Sequence, residues 1–249
     1  MVRETVTLGA RELVIETGEV ARQAGAAVLV SEGDTVLMAV CTAAHKPTHL
    51  PYMPLTVEYR HRMSAAGLIP GGYERREAKA TSLEVLVSRV VDRSIRPFFV
   101  DGWCYDTQVI LSPLSYDPES DMAPLSITAA AAALALSDVP FPVCLAGVRV
   151  ARCDGELVAF PTFEQRERCD LEFVLSLSRE GVVMLEGGAD EASEDDILAA
   201  FALAEEAVAP LHDLMDRLSK AARAKREVTP ATLDDAVVSR VNEGGAAGV

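Results

Sequence analysis

The chain has no long apolar stretch: its longest uninterrupted run, Ala129 to Leu136, falls far short of the roughly 20 residues that cross a bilayer. No charged-then-apolar leader opens it either, so a soluble protein is expected. Cysteines are few. Cys41, Cys104, Cys144, Cys153 and Cys169 make an odd number with no C-x-x-C pair, which argues against both a disulfide framework and a zinc site and suits a reducing cytoplasm. His45, His49, His61 and His212 form no H-E-x-x-H pattern and are read as surface or packing residues. Positive charge is also in short supply, since 23 Lys and Arg against 38 Asp and Glu give a formal net charge of -15.

What basic charge there is lies together. Residues 60–96 hold eight Lys or Arg (60, 62, 75, 76, 79, 89, 93, 96) against four Asp or Glu (74, 77, 84, 92), about +4, so the rest of the chain carries about -19. A local reversal of sign against such a background is the footprint of a polyanion site, because phosphates are drawn to it and repelled elsewhere. Within this window Arg89, Arg93 and Arg96 fall within roughly 60° of one another on a helix that turns about 100° per residue. Leu83, Leu86, Val87, Val90, Val91 and Ile95 fill the opposite arc and are expected to face the core. Only Asp92 lies near the arginines on that helix, which leaves guanidinium groups short of local partners. The segment from Ile69 to Glu77 adds Gly71-Gly72, Tyr73, Arg75 and Arg76. An aromatic ring with arginines beside glycines is how single-stranded nucleic acid is gripped, by stacking and backbone contact.

With 249 residues and 49% hydrophobic content, the chain has ample material for a core of one large domain or two small ones. Short alternating or apolar runs read as strands over Thr5–Leu8, Glu12–Glu16, Ala26–Val30, Thr35–Thr42 and Pro54–Arg60. Hairpin turns are expected at Glu32-Gly33-Asp34, Asp154-Gly155 and Glu180-Gly181. Three helices interrupt the strands. One opens at the capping box Thr81-x-x-Glu84 and stops before Pro97, and a second runs from Asp121 and Pro124 to Leu136. The third opens at Ser193-x-x-Asp196, with Pro210 expected to kink or break it. After Leu218 the chain becomes charged and alanine-rich, then closes on Glu243-Gly-Gly-Ala-Ala-Gly-Val249, which reads as a linker or frayed end.

Two runs, Gly67-Leu-Ile-Pro-Gly-Gly-Tyr-Glu-Arg-Arg-Glu77 and Ser88-Arg-Val-Val-Asp-Arg-Ser-Ile-Arg-Pro-Phe98, resemble the first RNase PH-like domain of bacterial polynucleotide phosphorylases. So do Leu13-Val-Ile-Glu-Thr-Gly18, Pro54-Leu-Thr-Val57, Ser115-Tyr-Asp-Pro118, Gly147-Val-Arg-Val150 and Pro161-Thr-Phe-Glu-Gln165, collinearly from about residue 5 to 217. The resemblance implies an α+β RNase PH-like domain over residues 1–217, mixed sheets with packed helices, and the start of a helical linker or flexible tail over 218–249. It implies a ring or homotrimer and 3′-to-5′ phosphorolysis of RNA, in which inorganic phosphate and Mg2+ are used to release nucleoside diphosphates. Tyr73, Arg75 and Arg76 inherit a pore-loop contact to single-stranded RNA, and Arg89, Arg93 and Arg96 match arginines on the family's helix.

Several positions depart from the pattern. Glu74 replaces a second aromatic, and Met122-Ala-Pro124 stands where active domains carry an arginine or serines for phosphate. The inorganic phosphate site is therefore expected to be missing. Of the family's two aspartates spaced by six, Asp170 matches the second, while Glu164 occupies the first position. Asp170 is thus a weak catalytic candidate, and metal and chemistry are assigned to a second RNase PH-like domain or chain. The alternative is a non-catalytic structural or RNA-binding pseudoenzyme subunit paired with a separate catalytic chain.

Overall fold

In the computed structural model, residues 1–9, 11–50, 52–71, 77, 79–142, 144–228, 236 and 239–241 are described. The first sheet comprises β1 (Val2–Leu8), β2 (Arg11–Thr17), β3 (Ala26–Glu32), β4 (Thr35–Ala43), β5 (Leu55–Tyr59) and β6 (Thr107–Ser115), in the order β1-β2-β3-β4-β6-β5. Its neighbours are antiparallel except β5, which lies parallel to β6 at the sheet edge. The second sheet is antiparallel throughout, in the order β10-β9-β7-β8, from β7 (Ala146–Cys153), β8 (Glu156–Ala159), β9 (Cys169–Ser178) and β10 (Gly181–Ala189). Sheets and helices together bear out the α+β expectation.

Helix α2 (Met122–Leu136) packs on β3 and β4 of the first sheet and on β7 of the second. It has no polar face, which suits a helix enclosed on all sides, and its alanines Ala129 to Ala133 are buried. Gly147 of β7 permits this close approach. A Cβ there would lie 2.8 Å from Pro124 Cα and 3.0 Å from Ile127 Cβ. The Asp154-Gly155 turn joining β7 to β8 has φ of 54° and 85°, the left-handed pair that a two-residue hairpin needs. Strand β6, not singled out by the sequence pattern, carries Pro113 in its interior. The proline sits beside the register shift between Val36 and Leu37 of β4, where a missing N–H is tolerated.

Four expectations change. Helix α3 (Glu194–Ser219) continues through Pro210. The lost backbone bond is offset by a buried stripe on both sides of it, Ala204 and Val208 before, Leu211, Leu214, Met215 and Leu218 after. On α1 (Ser82–Ile95), Leu83 and Leu86 are 61% and 58% exposed, whereas Glu84 is buried beside Val87, Val91 and Ile95. The core face is rotated because the Glu84 carboxylate binds backbone amides inside. Cys153 and Cys169 form a disulfide with Cα atoms 4.0 Å apart, brought together by the pairing of β7 with β9, a register that spacing alone does not reveal. Finally, residues 221–226 are docked. The Arg223 and Arg226 amides donate to Leu136 and Asp138 carbonyls, and Lys225 Nζ donates to Leu134, Ala135 and Ser137 carbonyls at 3.2, 2.7 and 2.7 Å. The last turn of α2 leaves carbonyls without intrahelical donors, and Lys225 supplies them.

Candidate nucleic-acid interface

Helix α1 begins at Thr81, whose hydroxyl accepts from Glu84 N at 3.2 Å while Glu84 Oε2 accepts from Thr81 N at 2.6 Å. This capping box sets the helix against the outer edge of β5. Between them runs a groove of about 450 Å³, lined among others by Glu58, Arg60, Ser88, Arg89, Asp92 and Arg96. The predicted arginines diverge in their pairing. Arg89 is exposed in the groove and has no ion pair or hydrogen bond among the described residues. Arg93 pairs with Glu186 of β10, and Arg96 donates from Nε and Nη2 to Asp92 at 2.8 and 2.6 Å. Two of the three guanidinium groups are thus partly neutralised by carboxylates, one of them 93 residues away. Tyr73, Arg75 and Arg76, with Glu74 and Ala78, lie outside the described residues.

Arg60 was part of the basic window but not among the candidates. It lines the same groove, with Nε 2.6 Å from Glu58 Oε1. Its signal was the alternation of strand β5: residue 60 follows the strand on its solvent side, facing the helix that carries Arg89.

The catalytic candidate is engaged elsewhere. Asp170 accepts from Arg152 Nε and Nη2, each at 2.8 Å, and Arg152 also reaches Asp196 at 2.6 Å. The hydrogen bonds from Arg152 hold the Asp170 carboxyl below its ordinary range, and Ser193 and then Arg152 bring Asp196 down to about 2. Carboxylates so committed are poor bases. Among the described residues no group of three or more His, Cys, Asp or Glu could hold a metal ion. Asp170 and Asp196 instead share one cation, the Arg152 guanidinium. The start of α2 is equally closed to phosphate. Asp121 caps it, accepting from Ala123 N at 3.3 Å, and also pairs with the largely buried Arg149, whose other partner is Glu172. A carboxylate already occupies the end of the helix where an anion would be favoured.

Residues 9–140 match the model of the 3′ exoribonuclease family, domain 1, and residues 144–207 match domain 2 of that family. The chain belongs to the 3′ exoribonuclease family. It is 43% identical to a polyribonucleotide nucleotidyltransferase of Myxococcus xanthus over 98% of its length and 34% of the relative's. Against the one from Geobacter sulfurreducens, identity is 42% over 98% of this chain and 35% of the other. The chain thus spans about a third of the length of the curated relatives it matches. The fold is that of rice Rrp46, with a TM-score of 0.68 at 15% identity, covering 84% of this chain and 94% of that one. Within the family match, the groove of Arg60, Arg89 and Arg96 lies in domain 1, and Asp170 lies in domain 2. No helix among the described residues is long and apolar enough to cross a membrane.

Proposed function

We propose that this chain is the RNA-binding, ring-forming RNase PH-like part of a polynucleotide phosphorylase, which shortens RNA from its 3′ end by phosphorolysis to nucleoside diphosphates. The observation that carries the reading is Arg89, unpaired among the described residues, in a groove between α1 and β5, within the one basic window of an acidic chain. Tyr73, Arg75 and Arg76, which lie outside the described residues, are further RNA contacts on the family resemblance, and Arg93 and Arg96 contribute less because each has a carboxylate partner. Asp170, tied to Arg152, has no part in the chemistry, and the capped start of α2 takes no inorganic phosphate. Mg2+ and phosphate belong to a second RNase PH-like copy, with which this part forms a trimeric ring in the cytoplasm. The names of relatives sharing 42–46% identity support the polynucleotide phosphorylase part of this reading.

The test is the salt dependence of single-stranded RNA binding. Each phosphate neutralised contributes about 0.7 log units of affinity per log unit of salt. Replacing Arg75 and Arg76 together by Ala should lower the slope by about 1.4, and Arg89→Ala by about 0.7, on the same basis. An unchanged slope in both variants would remove the groove from the RNA path. With poly(A), phosphate and Mg2+, this chain alone should release no nucleoside diphosphate, and release would overturn the assignment of chemistry to another copy.

A further inference from the structure

Beyond Tyr59 the chain keeps running along β6, with Arg60 N donating to Leu111 O at 2.9 Å. On the other side, β5 is the sheet edge, where outward amides have no strand to bind. Three alternate amides on that side are each taken by a side chain. Tyr59 N donates to Ser88 Oγ at 2.9 Å, His61 N to Glu84 Oε1 at 2.8 Å, and Met63 N to Glu77 Oε1. Ser88 Oγ in turn donates to Glu84 O at 2.8 Å, so the first two acceptors belong to one hydrogen-bonded unit on α1. Arg60 therefore sits between two amides that are both pinned to the helix carrying Arg89.

Glu84 is a buried charge. It is only 6% exposed, and it adds a negative charge behind a groove where Glu58 already pairs with Arg60 and Asp92 with Arg96. Burial opposes its ionisation, but the Thr81 and His61 amides and the Thr81 hydroxyl outweigh that, and its pKa lies below the ordinary value. A helix cap alone needs only the Thr81 bonds. The bond to His61 goes further, reaching 23 residues back along the chain to fix the strand extension.

We infer that Glu84 is a positioning residue for nucleic-acid binding: with Ser88 it locks the backbone on both sides of Arg60, so that the Arg60 and Arg89 guanidinium groups face one sugar-phosphate strand at fixed spacing. This rests on the reading of the groove as an RNA path. The sign of its consequence opposes simple electrostatics, since removing a negative charge beside a polyanion site should tighten binding, whereas here it loosens it.

The experiment measures the salt slope of single-stranded RNA binding on the full chain for Arg60→Ala, Glu84→Ala, the double variant, Glu84→Gln, Thr81→Ala and Ser88→Ala. Because Glu58 already pairs with Arg60, Arg60→Ala and Glu84→Ala should each lower the slope by the same amount, up to about 0.7, which at about 50 mM salt is at most roughly eightfold in affinity relative to 1 M. The double variant should lose no more than Arg60→Ala alone. Glu84→Gln, which keeps an acceptor for His61 N, should stay near wild type, as should Thr81→Ala, which removes a cap and leaves the His61 bond. Should Glu84→Ala fail to fold, Ser88→Ala cuts the other pin without a charge change and should lower the slope in the same direction. Additive losses, wild-type or tighter binding by Glu84→Ala, or an equal loss in Thr81→Ala would overturn the inference. If Arg75 and Arg76 carry slope while Arg60 carries none, the inference fails and the RNA reading stands. If no arginine replacement changes the slope, the RNA reading itself fails.

Discussion

Gly147→Ala is the sharpest test of how the two sheets are joined. The new methyl would lie 2.8 Å from Pro124 Cα, 3.0 Å from Ile127 Cβ and closer still to the Pro124 carbonyl oxygen, where ordinary contacts begin near 3.4 Å. The first turn of α2 must retreat by several tenths of an ångström, and overpacking of this kind costs about 1–3 kcal/mol. The retreat also strains the buried bond from Gly147 N to Thr128 Oγ1, now 3.0 Å, and an amide left without its acceptor costs about 1–3 kcal/mol more. Reduced freedom of the unfolded chain returns about 0.4–1 kcal/mol. The net loss is about 1–5.6 kcal/mol, which for a chain of this size lowers the melting temperature by roughly 2–22 °C. Thermal unfolding followed by circular dichroism reads it, with Gly188→Ala as the control, since a Cβ there meets nothing within 4 Å. A midpoint within a degree of wild type would mean that α2 does not press on β7 at this point, and the account of the core would be wrong.

Two other outcomes are open to direct measurement. His212 is buried, with Nε2 3.1 Å from Leu177 O, and burial, helped by Arg179, lowers its pKa from the ordinary 6.5. The unfolded chain therefore takes up a proton that the native protein resists, so stability should fall as pH drops from about 7 through 6.5. His212→Gln should flatten that dependence in urea titrations between pH 7 and 5, leaving the smaller contribution of His61, whose pKa burial also lowers; an unaltered dependence would rule out His212 as its source. For the cysteines, air-oxidised protein denatured without reductant should expose three reactive thiols, Cys41, Cys104 and Cys144, and five after reduction. Five before reduction would show Cys153 and Cys169 to be unpaired.

The elements that the sequence made legible are those with local causes. Three capping residues, Thr81, Asp121 and Ser193, start the three long helices where expected, because a cap is satisfied within four residues. The turns at Gly33, Asp154-Gly155 and Gly181 need left-handed backbone and announce it by composition. What stayed hidden depends on distant partners. The rotation of α1 follows from Glu84 binding an amide 23 residues earlier, and Arg93 is matched by a carboxylate on a strand that sequence spacing does not place beside it. The cluster of basic residues was visible, but which guanidinium stays unpaired depends on the packing of β5, β10 and α1.

That distinction bears on the chemistry as well. Carboxylates and guanidinium groups are plentiful between residues 121 and 196, yet those around Asp170 and Asp121 are consumed by one another: Arg152 holds Asp170 and Asp196, and Arg149 holds Asp121 and Glu172. Each arrangement stabilises its members as ions and removes them from service as acids, bases or phosphate donors, since a group fully hydrogen-bonded in the resting protein must break those bonds before acting. The groove differs in that Arg89 is left unpaired among the described residues, while the carboxylate nearest in the core, Glu84, spends its charge on backbone amides.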